Sequence, residues 1–502
     1  MTAGIGGVDD TQLRIDAPVP PADLPPSVFS SDKPPYRVPS MREVEAIPKN
    51  GLTVASTFSG CGGSCLGFRM AGYSVRWSSE FIASARETYR ANHPDAILDE
   101  RDIRQVKPEE ILAALGLQKG QLDVFEGSPP CASFSMAGKR EKLWGQTKSY
   151  SDKKQRTDDL FAEYLRLLGG LMPRAFVAEN VAGMVIGTAK GHFIEALAAM
   201  RALGYRVGAK ILDAQWLGVP QARRRVIFVG VRDDLNVDPP FPKPFPYRYS
   251  IRDALPWLGG MAMPAHGYFG GRVDDPSSEP SPTVLAGGMG SFGYTVQDAP
   301  RVVHDTSGLW GCEDVTDRPA ATVTVCVNSV NSNHFKVYAP TPPQQFIVST
   351  SKGAGSSIEP APTVLTHRRR HTHSELTITA PTAEELAEVN FERFAIGREW
   401  EKLAPGEGSD KYLNLSRAHP DRPSPTVTAT AGHVAAAGVA HPFEPRKFTI
   451  AELRRLCGFP DDFVLTGSYA QQWERLGRAV PPVMMAAVAR ELAVVLLAAG
   501  GR

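Results

Sequence analysis

Between Leu52 and Val231 short, β-branched apolar runs alternate with stretches whose apolar residues recur at helical spacing. The runs Leu52–Phe58, Ser74–Ser79, Leu122–Glu126, Ala175–Glu179, Tyr205–Leu212 and Val226–Val231 have the length and composition of strands. Ile82–Asn92, Pro108–Leu115, Asp159–Leu171 and Gly191–Leu203 place apolar residues three and four apart and predict amphipathic helices. Strand and helix taking turns in this way predicts an α/β fold with a doubly wound, mostly parallel sheet.

From Pro239 the pattern changes. Proline and glycine become dense, helical periodicity fades, and short Val/Thr-rich runs dominate up to Ala440. A unit recurs four times here, as Pro280–Val284, Pro319–Val323, Pro360–Val364 and Pro423–Val427, each ending in Thr-Val. The first three copies lie about 40 residues apart, which predicts repeated strand-turn units in a smaller, irregular β-rich domain. Helical spacing returns at Ile450–Gly458 and Val483–Ala498, which predicts that the chain rejoins its first domain. Four regions follow: a proline-rich, flexible arm over 1–50, an α/β domain over 51–238, a β-rich domain over 239–440, and a returning segment over 441–502.

Composition changes this picture little. A chain of 502 residues exceeds one ordinary core, which fits two domains. The run lengths predict no membrane span, and the N-terminus lacks the layout of a signal peptide, so a cytoplasmic protein is expected. Six cysteines lack both zinc-ligand spacing and the density of a disulfide scaffold, so reduced thiols and no metal are expected. The net charge is +1, so any hold on nucleic acid must come from local basic clusters.

The candidate chemistry sits where predicted strands end. Cys131 follows Pro129-Pro130 on a stiff loop after the Leu122–Glu126 run. Glu179-Asn180 closes another strand, and Gln221-Ala222-Arg223-Arg224-Arg225 precedes the last one. A thiol, a carboxyl and two arginines in that placement can attack, protonate and clamp a heterocyclic ring. Phe58-Ser59-Gly60-Cys61-Gly62-Gly63 is a glycine-rich turn between strand and helix, and Glu80 closes the second strand where a carboxylate suits ribose hydroxyls. Lys139, Arg140, Lys142, Lys148, Lys153, Lys154 and Arg156 form a basic stretch after the thiol, suited to phosphates.

In order and spacing these motifs resemble the DNA (cytosine-5)-methyltransferases. The matching residues are Phe58-x-Gly60-x-Gly62-Gly63, Glu80, Asp102-Ile103, Pro130-Cys131, Glu179-Asn180-Val181, Gln221-x-Arg223-x-Arg225 and Gly477-x-Ala479-Val480-Pro481-Pro482. The resemblance implies a Rossmann-like class I methyltransferase domain, a target-recognition domain over 239–440, and S-adenosyl-L-methionine as methyl donor. It implies that Cys131 attacks C6 of a flipped-out cytosine in double-stranded DNA, that Glu179 serves ring N3, and that Arg225 holds O2 with Arg223 in support. Partial burial is expected to keep Glu179 protonated. Donor contacts are implied for Phe58, Gly60, Gly62, Gly63, Glu80, Phe81, Asp102, Ile103, Pro130, Ala479 and Val480. DNA contacts are implied for Ser133, Lys139, Arg140, Gln221, Arg368, Arg369, Arg370, Thr426 and Arg478. It further implies a monomer, a nucleoid-associated place in the cytoplasm, and a companion restriction endonuclease as partner.

Two departures from the family's pattern stand out. The repeated Thr-Val units lengthen the recognition region, and Arg478 stands where the family has asparagine. A guanidinium there suits either DNA phosphate or a carboxylated donor such as carboxy-S-adenosylmethionine. A tRNA cytosine-C5 methyltransferase and an inactive DNA-binding relative are the alternative readings. The intact Cys131, Glu179, Arg223 and Arg225 weigh against the second.

Overall fold

The computed structural model describes residues 33–130, 159–185, 190–258 and 380–500, with strand segments lying within 147–156 and 283–347. Among the described residues nine strands carry the first domain: β1 Thr53–Thr57, β2 Ser74–Ser79, β3 Ile97–Asp99, β4 Val124–Gly127, β5 Thr147–Tyr150, β6 Lys153–Arg156, β7 Ala175–Val181, β8 Tyr205–Asp213 and β9 Arg224–Arg232. Seven of them form one sheet in the order β3-β2-β1-β4-β7-β9-β8. The first five in that order run parallel, while β9 is antiparallel to both β7 and β8. β5 and β6 make a separate antiparallel hairpin.

Side-chain alternation explains why helices cover both faces. Successive strand residues point to opposite sides. Ala55, Phe125, Phe176 and Phe228 feed one core cluster, and their neighbours Val54, Val124, Val177 and Val229 feed another. The first cluster is covered by α4 Pro108–Leu115, α5 Leu160–Leu171 and α6 Lys190–Ala202. The second is covered by α2 Gly63–Met70, α3 Ala83–Asn92 and the C-terminal helix Pro482–Ala498. The chain's end therefore completes the layer that its beginning starts.

Several expectations need correction. The arm predicted over 1–50 is folded from residue 33: the helix Met41–Ala46 is capped by Ser40 and Glu43, and Met41 donates its N–H to Asp462 at 2.9 Å. Val44 is buried, and Tyr36, Val38 and Met41 pack on a third cluster, so apolar contacts outweigh the proline content. That cluster also joins Ile251–Leu258, Val389 and Val427 to Phe448, Trp473 and Leu476, so neither end of the 239–440 region is separate from the body. One stretch, Tyr469–Ala498, does reach a membrane span by length and mean hydropathy, 1.8 over its most apolar window. That window is 61% buried inside the protein, as core helix. The first two repeat copies end in strands that lie side by side, parallel, with Val284 opposite Val323.

Leu492 is fully buried in the second cluster, whereas Val494 on the same helix is 67% exposed. Leu492→Ala is expected to cost about 3 kcal/mol in chemical denaturation, and Val494→Ala less than about 0.5 kcal/mol. Equal costs would contradict the seating of this helix on the sheet.

Candidate active site

Strand ends β2, β1, β4 and β7 open onto one cleft of about 530 Å³, which the segment 477–480 closes from the C-terminal part. The turn after β1 builds one wall. Phe58 has φ 53, a left-handed conformation uncommon for a residue with a side chain. Gly62 follows at φ 89, where a Cβ would lie 2.3 Å from His93 Nε2. Gly63 begins α2, and a Cβ there would lie 2.5 Å from the Val480 carbonyl oxygen. Left-handed backbone against the His93 ring thus requires Gly62, and close approach to the Val480 backbone requires Gly63.

His93 holds the turn from behind. It is 3% exposed and stacks on Tyr89 with centroids 4.6 Å apart. Arg69 Nη1 lies 3.2 Å from its Nδ1 and can only donate, so Nε2 carries the proton and donates to the Gly62 carbonyl at 3.1 Å. Burial, with the Arg69 guanidinium adding to it, pushes this imidazole down to about 3.

Glu80 closes the same turn from β2. Its Oε2 accepts from Gly60 N at 2.8 Å and its Oε1 from Ile82 N at 2.7 Å. Burial raises its carboxyl above the usual range, against those two hydrogen bonds. Phe81, Ile103, Pro130, Ala479 and Val480, the residues expected on the donor, line the cleft. Asp102 does not line it. Its carboxylate caps the Ile103–Gln105 turn through Arg104 N and pairs with the Arg104 guanidinium at 2.9 Å.

The far wall is made by β7 and β9. Their register sets Glu179 opposite Ile227 and Val181 opposite Arg225, so Glu179 and Arg225 are diagonal neighbours on one face. Glu179 Oε1 meets Arg225 Nε at 2.7 Å, with side chains 9% and 14% exposed. Partial burial was the expected influence on Glu179; the structure adds a guanidinium in direct contact. Removing one partner of so enclosed a pair leaves the other charge unmatched, at roughly 3–5 kcal/mol. Asn180 Nδ2 donates to the Pro129 carbonyl at 3.1 Å and so pins the loop two residues before Cys131.

Arg223 and Gln221 are placed behind this wall. Arg223 is 1% exposed and donates to the carbonyls of Val427, at 3.2 Å, and Gly477, at 2.9 Å. Burial, with Arg225 nearby, lowers its guanidinium to about 10. Gln221 is fully buried, with Nε2 on Cys457 Sγ at 3.3 Å. The DNA contact expected of Gln221 is therefore corrected: its side chain is core. Thr426 is exposed, with Oγ1 donating to Ala222 O at 2.5 Å. Arg478 lines the cleft and pairs with Glu474 at 2.8 Å, one helical turn earlier. Cys131, Ser133, Lys139, Arg140 and Arg368–Arg370 lie outside the described residues.

Several cleft residues escaped the sequence reading as site residues, among them Arg101, Arg475 and Glu126. Glu126 is buried near the end of β4, and its signal was an acid directly after the apolar pair Val124-Phe125, inside the predicted strand Leu122–Glu126.

His93 gives a pH prediction. Its folded value lies below the unfolded one, so it contributes stability above about pH 6.5 that is lost as pH falls towards 3. His93→Gln is expected to flatten the loss of thermal stability between pH 6.5 and 4. An unchanged acid limb would mean that His93 is charged in the fold.

Comparison with known proteins agrees with this geometry. Residues 52–256 and 328–493 match the family described as C-5 cytosine-specific DNA methylase. The Type II methyltransferase M.AgeI of Thalassovita gelatinovora is 37% identical over 189 residues, 37% of this chain and 41% of that protein. M.NgoPII of Neisseria gonorrhoeae is 35% identical over 194 residues, 39% and 52% respectively, so the chain spans about half the length of these two relatives. M1.HphI of Haemophilus parahaemolyticus is 27% identical over 440 residues, 87% of this chain and 86% of that protein. A crystal structure of a prophage-encoded E. coli protein described as a DNA modification methyltransferase shares the fold, with TM-score 0.52 at 19% identity, covering 89% of this chain and all of that one. With the matched segments spanning most of its length, the chain belongs to the C-5 cytosine-specific DNA methylase family.

Proposed function

We propose that this chain methylates C5 of a cytosine flipped out of double-stranded DNA, at a specific sequence, through a covalent bond from Cys131 to C6. The observation that carries the reading is the Glu179–Arg225 pair, set in the same cleft as the glycine turn and Glu80. The residues present suit S-adenosyl-L-methionine. Gly60 has open space where a Cβ would sit, and Glu80 is a buried acid at a strand end. Glu80, Phe81, Ile103 and Val480 would hold it, and it would supply a methyl carbon activated by a sulfonium.

The chain's own residues account for the rest. C5 of cytosine is a poor nucleophile until a nucleophile adds at C6. The Cys131 thiolate forms the S–C6 bond, the C5=C6 electron pair moves onto C5, and N3 takes a proton from Glu179, which picks it up from solvent on Oε2 as the base docks while Arg225 still donates to Oε1. C5 would then bond the methyl carbon that the donor supplies, the carbon–sulfur pair staying on sulfur. The C5 proton departs to water, its electron pair re-forms C5=C6, the S–C6 bond breaks, and N3 returns its proton to Glu179. Arg225 steadies O2 and orients Glu179, and Asn180 holds the loop that carries the thiol.

DNA as the substrate is supported by the basic run that includes Lys148, Lys153, Lys154 and Arg156, on the strands of the β5–β6 hairpin that follow Cys131 in the chain. Target choice is assigned to the repeat-bearing region, with Thr426 at its laced edge. Arg478 is read as a DNA-side or structural arginine, because Glu474 already engages its guanidinium.

A duplex containing 5-fluorocytosine, which cannot lose a C5 proton, is expected to leave the protein covalently attached to DNA in the presence of S-adenosylmethionine. Cys131→Ser is expected to abolish the adduct. A wild-type protein that binds the duplex without forming one would sink the covalent mechanism; labelling of tRNA in place of DNA would overturn the substrate.

A further inference from the structure

The cleft holds one acid that this chemistry leaves unused. Glu126 is 1% exposed and lines the cleft at the end of β4. Ser56 Oγ donates to its Oε2 at 2.5 Å and Ser64 Oγ to its Oε1 at 2.7 Å, while Ser56 and Ser59 hydroxyls lie 2.9 Å apart. Among the described residues no cationic side chain pairs with it. A buried carboxyl held by two hydroxyls, facing a cleft and lacking a counter-charge, is costly unless a ligand supplies one.

Strand order shows which ligand group that is. The cleft runs from Glu80 at the end of β2, past the turn after β1, over Glu126 on β4, to Glu179 on β7. On the reading given above, the donor's adenosine end lies at Glu80 and its methyl faces the base beside Glu179. The part between them, crossing β1 and β4, is the sulfonium with its amino-acid tail. We propose that Glu126 is the anionic partner of this cationic end of S-adenosylmethionine, and so a donor-binding and donor-selecting residue. The inference rests on the methyltransferase reading and adds a residue to it.

Burial raises the Glu126 carboxyl to about 7, against the two serine bonds, with Glu179 adding to the rise. The titratable groups facing it are Cys65 on α2, Tyr89 on α3, Tyr164 on α5 and Glu179 on β7, with Glu80 further along the cleft. Burial drives the thiol to about 12 and both phenols well above their ordinary value, so none of these three ionises near neutrality. A cation arriving beside Glu126 fixes it as the carboxylate and expels its proton to solvent. Affinity for S-adenosylmethionine therefore rises with pH through neutrality. S-adenosylhomocysteine has lost the sulfonium charge and gains less.

The test is calorimetric titration of the full chain with each nucleoside, from pH 6 to 8, in two buffers of different ionisation enthalpy. Wild type is expected to bind S-adenosylmethionine about tenfold more tightly at pH 8 than at pH 6, releasing about half a proton at pH 7. Glu126→Gln, which keeps partners for both serines, is expected to lose the proton release and at least tenfold in S-adenosylmethionine affinity at pH 8. Its affinity for S-adenosylhomocysteine is expected to fall less. Should that variant fail to fold, Ser64→Ala removes one bond to the carboxylate and is expected to shift the pH midpoint of binding upwards. Binding without proton release, or an unchanged pH profile in a folded variant, overturns the role of Glu126 alone. A wild-type chain that binds neither nucleoside overturns the methyl-donor reading itself.

Discussion

The ion pair between Glu179 and Arg225 is the constraint on which the site depends. It exists because β9 enters the sheet antiparallel between β7 and β8. A parallel strand there would present its opposite end to the cleft and carry Arg225 away from Glu179. The antiparallel entry brings the start of β9 to the end of β7, and a carboxylate and a guanidinium meet at the rim of the sheet. The two charges then orient one another, leaving the remaining polar edges of both groups for a flat, hydrogen-bonding ligand.

The same reversal places Arg223 where it can bind three parts of the chain together. Its guanidinium reaches Val427 O and Gly477 O, while Thr426 and Ser424 are laced to the backbone around Ala222. Trp473 Nε1 donates to Thr428 O from the helix that leads to Gly477. The edge of the repeat-bearing region is thereby tied to the wall of the cleft formed by residues 477–480. A shift in the segment 424–428 must move either the start of β9 or the cleft wall. Arg223 is thus a positioning residue, and its burial explains why lysine, with fewer donors and no planar fork, is a poor substitute.

Much of this was legible in the order of residues. Every strand predicted in the first domain is present, because two-sided burial demands continuous apolar runs of fixed length. β3 was missed: Ile97–Asp99 is only three residues long and its first side chain is half exposed, so no run marks it. Helix Tyr469–Arg478 was missed because its apolar face is spaced among glutamine, glutamate and arginine, and only the Ser468–Gln471 cap marks its start. In the site, Phe58, Glu80 and the Glu179–Arg225 wall were legible from strand ends. The burial of Gln221 was not, since the strap at 424–427 that covers it lies two hundred residues away in the chain. The pairing of the Asp102 carboxylate with Arg104, two residues on, was not legible either.

The central claim is that one cleft brings a cytosine, a thiol and a methyl donor together, organised by the wall of β7 and β9. A crystal structure of the protein trapped on a 5-fluorocytosine duplex tests it most directly. The account predicts an S–C6 bond from Cys131, the ring edge against Glu179 and Arg225, and the spent donor between Glu80 and Glu126. A base seated elsewhere, or one bonded to another side chain, would contradict it.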